Sequence, residues 1–333
     1  MTLKSKFSLG VATIAAVALA GSAAFADFPE RKIQNIFPWA PGTVAHGVSQ
    51  MIAEGMSERL GQPLPVVATP GAGGVKAFNT ALAAPADGYT IFDGYVAPLV
   101  ISPMFGRADW GCDDFTPLWS ATSNAFAIAI SPTEERFTDF PTFIEYLKAN
   151  PGKTAYNGNG LSLPHMVSAK VLQTLDLVSR PVPYDDIELG MKDLRSGVLD
   201  WLVVNPGVYN ANKDNLKILV TLSELESVQR TYDGADRALD FGIDLGISGL
   251  APMGWNWWLV RKDTPEDRVA VLRDAMEATI NDPEVRAQIE ATGFVLTEYS
   301  PDQYSDVCNS ARAQLESAKD AITWEEEAVK AAN

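Results

Sequence analysis

The sequence predicts an α/β protein of two lobes, each a mainly parallel sheet flanked by helices. Short apolar segments of strand length alternate with amphipathic segments of helix length, an order typical of α/β folds. The 333-residue chain is longer than one hydrophobic core usually holds, even without its first 26 residues. Because no low-complexity linker interrupts it, we expect strands instead of a flexible tether to join the lobes.

The first run of elements lies between residues 33 and 92. Strands are predicted at 33–37, 64–68 and 90–92, and helices at 47–60 and 74–83. A helix between two strands lets the second strand run in the same direction as the first. This β-α-β-α-β order therefore predicts a lobe with a largely parallel sheet.

A second run of the same kind follows. The predicted strands are 126–130, 154–156, 182–184, 201–204 and 217–221, and the predicted helices are 141–149, 164–175 and 187–196. The chain then returns to a predicted strand at 255–260, helices at 265–281 and 283–292, and mostly helix after 301. We expect lobe 1 to comprise 27–124 plus 255–333, and lobe 2 to comprise 125–254.

The N-terminus has the pattern of a cleaved export signal. Lys4 and Lys6 precede an apolar run over 7–20, and the small-x-small sequence Ala24-Phe25-Ala26 follows. The run is shorter than the roughly 20 residues that a membrane-spanning helix needs. We expect cleavage of residues 1–26 and a periplasmic mature protein, with a retained anchor as the alternative.

Composition narrows the possible partners. Hydrophobic residues make up 47% and charged residues 20% of the chain, which indicates a globular protein. The formal net charge is −16, and loss of Lys4 and Lys6 lowers it by two to −18. This charge argues against nucleic acid or an anionic membrane surface as partner. An anionic ligand would need local hydrogen-bond donors.

Two cysteines limit redox and metal chemistry. Cys112 and Cys308 can form one disulfide in an oxidising compartment, and two separate thiols are the alternative. Neither the two thiols nor the two histidines, His46 and His165, have a further ligand at metal-site spacing. We therefore expect no metal and no cofactor.

Several loops that follow predicted strands are rich in Gly, Pro and Asn. In open α/β sheets such loops bring main-chain N–H groups and helix N-termini to the ligand, although each could be an ordinary turn. They are 38–46, 69–74, 94–98, 157–165 and Asn205-Pro206-Gly207. Loop 69–74 lacks both nucleotide-binding glycine motifs, so it is predicted to be a tight turn. Although Ser162 and His165 are close in sequence, no G-x-S-x-G motif surrounds Ser162, which disfavours an exported hydrolase.

Characteristic short segments recur through the chain. They are Phe28-Pro29, 33–42, Leu60-Gly61-Gln62-Pro63, Pro70-Gly71-Ala72-Gly73-Gly74, Asp87-Gly88-Tyr89-Thr90, Asp114-Phe115-Thr116-Pro117, 156–165, Val182-Pro183-Tyr184 and Ser196-Gly197-Val198-Leu199-Asp200. In order and spacing these segments resemble the Bug (TctC-like) family, the extracytoplasmic solute receptors of tripartite tricarboxylate transporters. The resemblance implies a type II-like periplasmic binding protein fold, whose lobes close over a small carboxylated solute and deliver it to membrane permease subunits. We also expect a monomer, and no catalytic residues, because no combination of nucleophile, base and orienting group emerges from the sequence.

The resemblance also implies which residues bind the ligand. In the family, the first strand-to-helix loop and the loop opening the second lobe supply backbone and hydroxyl donors to ligand carboxylates. Carried onto this chain, with His46 added as a cleft histidine, the candidates are Ala40, Gly42, Thr43, Val44, His46, Tyr95, Asn157, Gly158, Asn159, Leu161, Ser162, His165 and Asn205.

The chain departs from the family pattern in both loops. The family's first loop usually has the sequence P-G-G-G-T-D, whereas Thr43-Val44-Ala45-His46 follows Pro41-Gly42 here. The family's second loop usually carries Ser-Ser where this chain has Gly158-Asn159. The loop of this chain is also one residue shorter than that of the family. We expect the chain to bind a carboxylate, but not necessarily one of the family's usual ligands. The possible classes are dicarboxylates, tricarboxylates, carboxylated aromatics and acidic amino acids.

Three further expectations concern the histidines, the tryptophans and the biological role. His46 and His165, in facing loops, could each give an anion a donor or a positive charge. Along the predicted strand, Trp255 and Trp257 point to one face and Trp258 to the other, so all three cannot line one pocket, and core packing is the default. A periplasmic sensor that presents its ligand state to a signalling protein is the alternative to transport.

Overall fold

The structure is a computed structural model that describes residues 28–123, 125–158, 162–184, 187–223, 226–246, 255–297 and 299–332. The predicted export signal lies outside the described residues. So do Asn159 and Leu161 of the candidate site, and the side chain of Trp255. In the described part of the chain, no helix has both the length and the apolar character required to cross a membrane.

The strands are short and distributed along the whole chain. They are β1 Gln34–Phe37, β2 Val66–Ala68, β3 Thr90–Tyr95, β4 Phe115–Ser123, β5 Ala127–Ile130, β6 Ala155–Asn157, β7 Arg180–Val182, β8 Leu202–Val204, β9 Lys217–Thr221, β10 Trp255–Arg261 and β11 Val295–Leu296.

Helices separate most of these strands. They are α1 Val44–Leu60, α2 Val75–Ala83, α3 Ser102–Met104, α4 Phe140–Ala149, α5 Leu163–Leu175, α6 Met191–Arg195, α7 Pro206–Ala211, α8 Glu226–Thr231, α9 Glu266–Ile280, α10 Pro283–Ala291 and α11 Tyr304–Ala332.

The larger sheet has the strand order β11-β4-β10-β3-β1-β2. Strand β1 pairs in parallel with β2 and β3, whereas β10 is antiparallel to both of its neighbours and β11 is antiparallel to β4. Four of the six strands therefore run in one direction, with β10 and β11 reversed.

The smaller sheet is built in two pieces. One has the order β8-β5-β9, with β5 antiparallel to both neighbours, and the other is the parallel pair β6-β7. An isolated parallel bridge between Tyr156 and Trp201 connects them. Only β5 runs against the other four strands, so the predicted fold class, α/β with two mainly parallel sheets, is confirmed.

Strand β4 was not predicted from the sequence. Its nine residues carry Pro117 and several Ser and Thr side chains, so they show neither an apolar run nor a clear alternation. Two neighbours hold the strand in the sheet, β10 on one side and β11 on the other. Its extended conformation therefore depends on partners that are distant in sequence.

Several predicted boundaries shift because local caps and pairings decide them. Helix α1 begins three residues earlier than predicted, since Thr43 caps it. The predicted loop 94–98 is wrong: Gly94 and Tyr95 pair with β10, and a π-helical turn covers Ala97–Ile101. The predicted helix 187–196 is a 3₁₀ turn over Ile187–Gly190 followed by α6.

Trp257 and Trp258 of β10 pack in the core, as predicted. Trp257 and Trp258 are both fully buried and belong to different apolar clusters on opposite faces of the larger sheet. Trp257 meets the ring of Tyr304 edge-on, at a centroid distance of 5.0 Å. In the smaller sheet, Tyr156 stacks on Trp201 at 4.2 Å. Aromatic packing therefore stabilises both sheets.

Helix α11 connects the two predicted lobes. Cys112 and Cys308 form a disulfide, with Cα atoms 6.5 Å apart, which attaches the start of α11 to the segment before β4. Further along, α11 packs against α5, a helix of the 125–254 segment. The lobe boundaries stay a prediction, but α11 touches elements on both sides of them.

Candidate ligand-binding site

Three candidate residues cap the helices that follow strand ends. Thr43 Oγ1 accepts a hydrogen bond from the amide of His46 at 3.2 Å, and Ser162 Oγ accepts one from the amide of His165 at 3.3 Å. Asn205 Oδ1 accepts the amide of Val208 at 2.8 Å. The caps use these side-chain oxygens, so the helix N-termini present mainly main-chain N–H groups and the positive end of the helix dipole.

The first loop is folded on itself. Gly42 has φ +83°, in the left-handed region, and its amide donates to His46 Nδ1 at 3.4 Å. The Thr43 hydroxyl donates to the carbonyl of Ala40 at 3.1 Å. These bonds hold the turn before α1 in one conformation. A ligand that takes the Gly42 amide has to replace the contact to His46.

His46 is a neutral donor in this arrangement. Its ring is 9% exposed and meets Phe37 edge-on at 5.2 Å. Burial lowers the pKa of His46 below its ordinary value. Since Nδ1 accepts from Gly42, the proton of the neutral ring lies on Nε2. The ring therefore has one N–H to offer an anion.

The amide of Val44, the first residue of α1, is occupied by a carboxylate. It donates to Glu188 Oε1 at 3.1 Å, across 144 positions of sequence. Sequence reasoning missed Glu188, because the predicted helix 187–196 made it an ordinary helix residue. The one available signal was its position shortly after Val182-Pro183-Tyr184, a segment that resembles the family.

The starts of α1 and α7 touch each other. A Cβ atom placed on Gly207 would lie 2.9 Å from Val44 Cγ1 and 2.5 Å from Phe294 Cε2. A Cβ placed on Gly293 would lie 2.8 Å from the carbonyl oxygen of Pro206. The structure thus brings the first loop together with the Asn205-Pro206-Gly207 loop, and a side chain at Gly207 would separate them.

Tyr95 forms part of an aromatic group behind the first loop. Its side chain is 7% exposed and lies edge-on to Phe37 at 6.2 Å and to Trp39 at 5.6 Å. Trp39 is half-buried and packs on the larger apolar cluster. These packed rings support the first loop, to which Trp39 belongs.

Asn157 and Gly158 hold the end of β6 in place. The Asn157 carboxamide donates to the carbonyl of Val203 at 3.0 Å and accepts its amide at 2.8 Å, which joins β6 to β8. Gly158 has no room for a side chain, since a Cβ there would lie 2.4 Å from Pro181 Cβ. Both residues carry a structural function that the sequence did not reveal.

His165 is bound to the C-terminal helix. Its Nε2 atom donates to Glu325 Oε2 at 2.7 Å, and the hydroxyl of Tyr156 donates to Glu325 Oε1 at 2.6 Å. Burial, together with the Glu325 carboxylate, raises the pKa of Tyr156 well above its ordinary value, so the phenol keeps its proton. Among the described residues, His165 Nδ1 has no hydrogen-bond partner.

A buried polar network lies further along α1. Asp93 Oδ2 accepts from the Ser49 hydroxyl at 2.8 Å and from Asn35 Nδ2 at 3.0 Å. Asp93 Oδ1 accepts from Asn256 Nδ2 at 3.1 Å. Asp93 is fully buried, and burial raises its pKa to about 7 although these three donors act in the opposite direction. The network links α1 to β1, β3 and β10.

Metal binding has no geometric support in the described ranges. There, no three side chains of His, Cys, Asp or Glu come together in a group that could hold a metal ion.

Known proteins resemble this chain over most of its length. Residues 48–321 match the model of the tripartite tricarboxylate transporter family receptor. Protein BugT of Bordetella pertussis is 25% identical over 296 residues, which cover 87% of this chain and 89% of BugT.

Solved structures support the fold. A Rhodopseudomonas palustris protein with adipate has a TM-score of 0.78 at 19% identity, covering 89% of this chain and 98% of its own. MatC from the same species, with bound malate, has a TM-score of 0.71 at 20% identity, covering 91% of this chain and 100% of its own. The periplasmic binding protein fold is therefore confirmed, and by the family match the chain belongs to the tripartite tricarboxylate transporter receptor family.

Proposed function

We propose that this protein is a periplasmic receptor that binds a small carboxylated solute in a cleft and delivers it to the permease of a tripartite transporter. The observation that carries the proposal is the Val44 amide at the start of α1, which already holds a carboxylate oxygen. This contact supports a ligand carboxylate at the same helix start. Family membership supports the same function.

The donors to the solute are assigned mainly to the main chain. The oxygens of Thr43, Ser162 and Asn205 cap helices, and the Asn157 carboxamide is bonded at both ends. Main-chain N–H groups of the first loop and the Gly207 amide of α7, with the Nε2–H of His46, are then the groups assigned to negative oxygens. Such local donors allow an acidic protein to bind an anion.

The two-sided arrangement assigned to these donors supports receptor function. Donors are assigned to α1 on one side of the cleft and to α7 on the other. A solute that contacts both sides makes more hydrogen bonds in a closed form than in an open one, so it shifts the population toward closure. The permease can then distinguish loaded receptor from empty receptor.

Small carboxylates are the proposed ligand class. Malate is bound by MatC and adipate by the other Rhodopseudomonas palustris protein, and both are dicarboxylates. Because the first loop of this chain departs from the family pattern, we propose the class and not either compound.

Catalysis is not part of the proposal. The Ser162 hydroxyl contacts the main-chain amide of His165, while the imidazole Nε2 of that histidine is bonded to Glu325. A nucleophile and base would need the hydroxyl and the ring nitrogen to contact each other. Recovery of a chemically altered solute after incubation with the protein would contradict a purely binding function.

The decisive experiment identifies the solute. The mature protein is purified without refolding, analysed by native mass spectrometry, and tested by thermal shift against a panel that includes malate, adipate, tricarboxylates and aromatic carboxylates. We expect one class to raise the melting temperature and to reduce the radius of gyration in X-ray scattering. A panel in which no carboxylate binds, by shift or calorimetry, would overturn the proposal.

Transport and localisation are tested separately. Deletion of the gene should abolish uptake of the identified solute. Cell fractionation should find the protein in the periplasm, and size-exclusion chromatography of that fraction should show a monomer. Recovery of a sensor kinase instead of a permease in a pull-down would favour the signalling alternative.

A further inference from the structure

We propose that Glu188 is a specificity-determining residue of the cleft, an internal carboxylate that occupies the subsite of a ligand carboxylate on the Val44 amide. Any carboxylated solute that uses this amide has to displace it. The inference rests on the proposed function, since it names what the solute competes with. Its central contact is the 3.1 Å hydrogen bond from the Val44 amide to Glu188 Oε1.

The charge of α1 explains why Glu188 binds there. The first turn of α1 contains no acidic residue, although a negative charge normally stabilises a helix N-terminus. Glu188 supplies that charge from another part of the chain. A hydrogen bond from an amide to an ionised carboxylate is stronger than one between neutral groups.

The backbone places Glu188 firmly. It lies in the 3₁₀ turn Ile187–Gly190, and a Cβ atom on Gly190 would lie 3.0 Å from Leu202 Cδ2 and 3.4 Å from Asn157 Cβ. The following residue, Met191, is buried. The turn is therefore packed onto β6 and β8, so its carboxylate is held in front of α1.

The contact also joins the two sides of the cleft. Val44 belongs to α1, which follows the larger sheet's β1, whereas the turn that carries Glu188 is packed on the smaller sheet. In the absence of solute, the bond therefore favours the closed arrangement. When solute is present, the Glu188 carboxylate competes with the solute carboxylate for the Val44 amide. This competition selects against solutes that cannot displace Glu188.

The test uses the Val44 amide as a reporter and acetate as the probe. ¹⁵N-labelled mature protein is compared with Glu188→Ala, Glu188→Gln and the exposed, charge-matched control Glu145→Ala. We expect the Val44 amide resonance to move and its hydrogen exchange to speed up in Glu188→Ala, to change less in Glu188→Gln, and to stay unchanged in the control. Acetate is titrated in, with chloride at the same concentrations as the control. In Glu188→Ala, acetate should return the Val44 amide resonance toward its wild-type position, and it should leave the wild-type spectrum unchanged.

An unaltered Val44 resonance in Glu188→Ala would overturn the proposal, as would equal effects of acetate on wild type and variant. If Glu188→Ala does not fold, Glu188→Gln tests the proposal by the same criteria, with a smaller expected shift of the Val44 amide resonance. Neither measurement needs the natural solute, so failure of the carboxylate panel and failure of this inference are distinguishable. The solute that the panel identifies should bind Glu188→Ala about tenfold tighter than wild type, and equal affinity would count against it.

Discussion

His165 and Glu325 form a buried hydrogen bond of 2.7 Å that joins the start of α5 to the C-terminal helix α11. The sequence placed His165 in a cleft loop as a possible contact to an anion. Its Nε2 instead holds a carboxylate of the protein itself, which also accepts the Tyr156 hydroxyl. The contact makes α11 part of the framework behind the site.

We expect Glu325→Ala to lower the free energy of unfolding by about 3 kcal/mol, because it leaves two buried donors without their acceptor. Urea unfolding measures the effect. The adjacent Glu326 is exposed, so Glu326→Ala is the matched control and should change little. Equal effects of the two substitutions would contradict the buried network.

Gly158→Ala should destabilise the protein by about 1–3 kcal/mol, since its Cβ would lie 2.4 Å from the rigid ring of Pro181. The control is Gly47→Ala in α1, where, apart from the neighbouring backbone of the helix, no atom of the described residues lies within 4 Å of the added Cβ. That substitution should be neutral or stabilise the helix by up to about 1 kcal/mol. Thermal unfolding without ligand compares them, and a neutral Gly158→Ala would disagree with the packing described.

Asp93 should make stability fall as pH rises from 4 to 7. Its pKa is about 7 in the folded protein and 3.8 ordinarily, so in this range the folded state retains a proton that the unfolded state has lost. The contribution to the free energy of unfolding then decreases by up to about 1.4 kcal/mol per pH unit.

The measurement compares urea unfolding of wild type and Asp93→Asn at pH 5 and pH 7. The wild type should lose more stability than the variant between the two values. Parallel pH profiles would show that Asp93 does not titrate in this range.

Reducing the Cys112–Cys308 disulfide should lower the free energy of unfolding by about 2–5 kcal/mol, because the bridge closes a loop with a sequence separation of 196. Unfolding with and without dithiothreitol measures it. In the double variant Cys112→Ser with Cys308→Ser, the reductant should have no further effect. An equally stable reduced protein would contradict a stabilising bridge.

His46→Ala should weaken binding of the identified solute about fivefold at both pH 6 and pH 8, because the buried ring acts as a neutral donor. Calorimetry at the two pH values tests this. A loss at pH 6 alone would indicate a positive charge instead, and an unchanged affinity at both values would exclude His46 from the site.

Local sequence patterns predicted much of the architecture. Apolar periodicity indicated most strands and helices, and opposite faces for Trp257 and Trp258, because the direction of a side chain depends only on the local backbone. The helix caps were not predicted, although they are equally local: Thr43, Ser162 and Asn205, predicted as ligand contacts, each bond an amide three residues ahead. Strand β4 escaped prediction because its conformation depends on the neighbouring strands β10 and β11.

The sequence by itself determined the α/β class, the resemblance to a receptor family and the loops at the strand ends, since these follow from short-range patterns. Only the tertiary structure decided which groups those loops face. Glu188 reaches Val44 across 144 positions and Glu325 reaches His165 across 160. Such pairings depend on how packed elements bring distant residues together, and no local pattern encodes the partner of an amide or an imidazole.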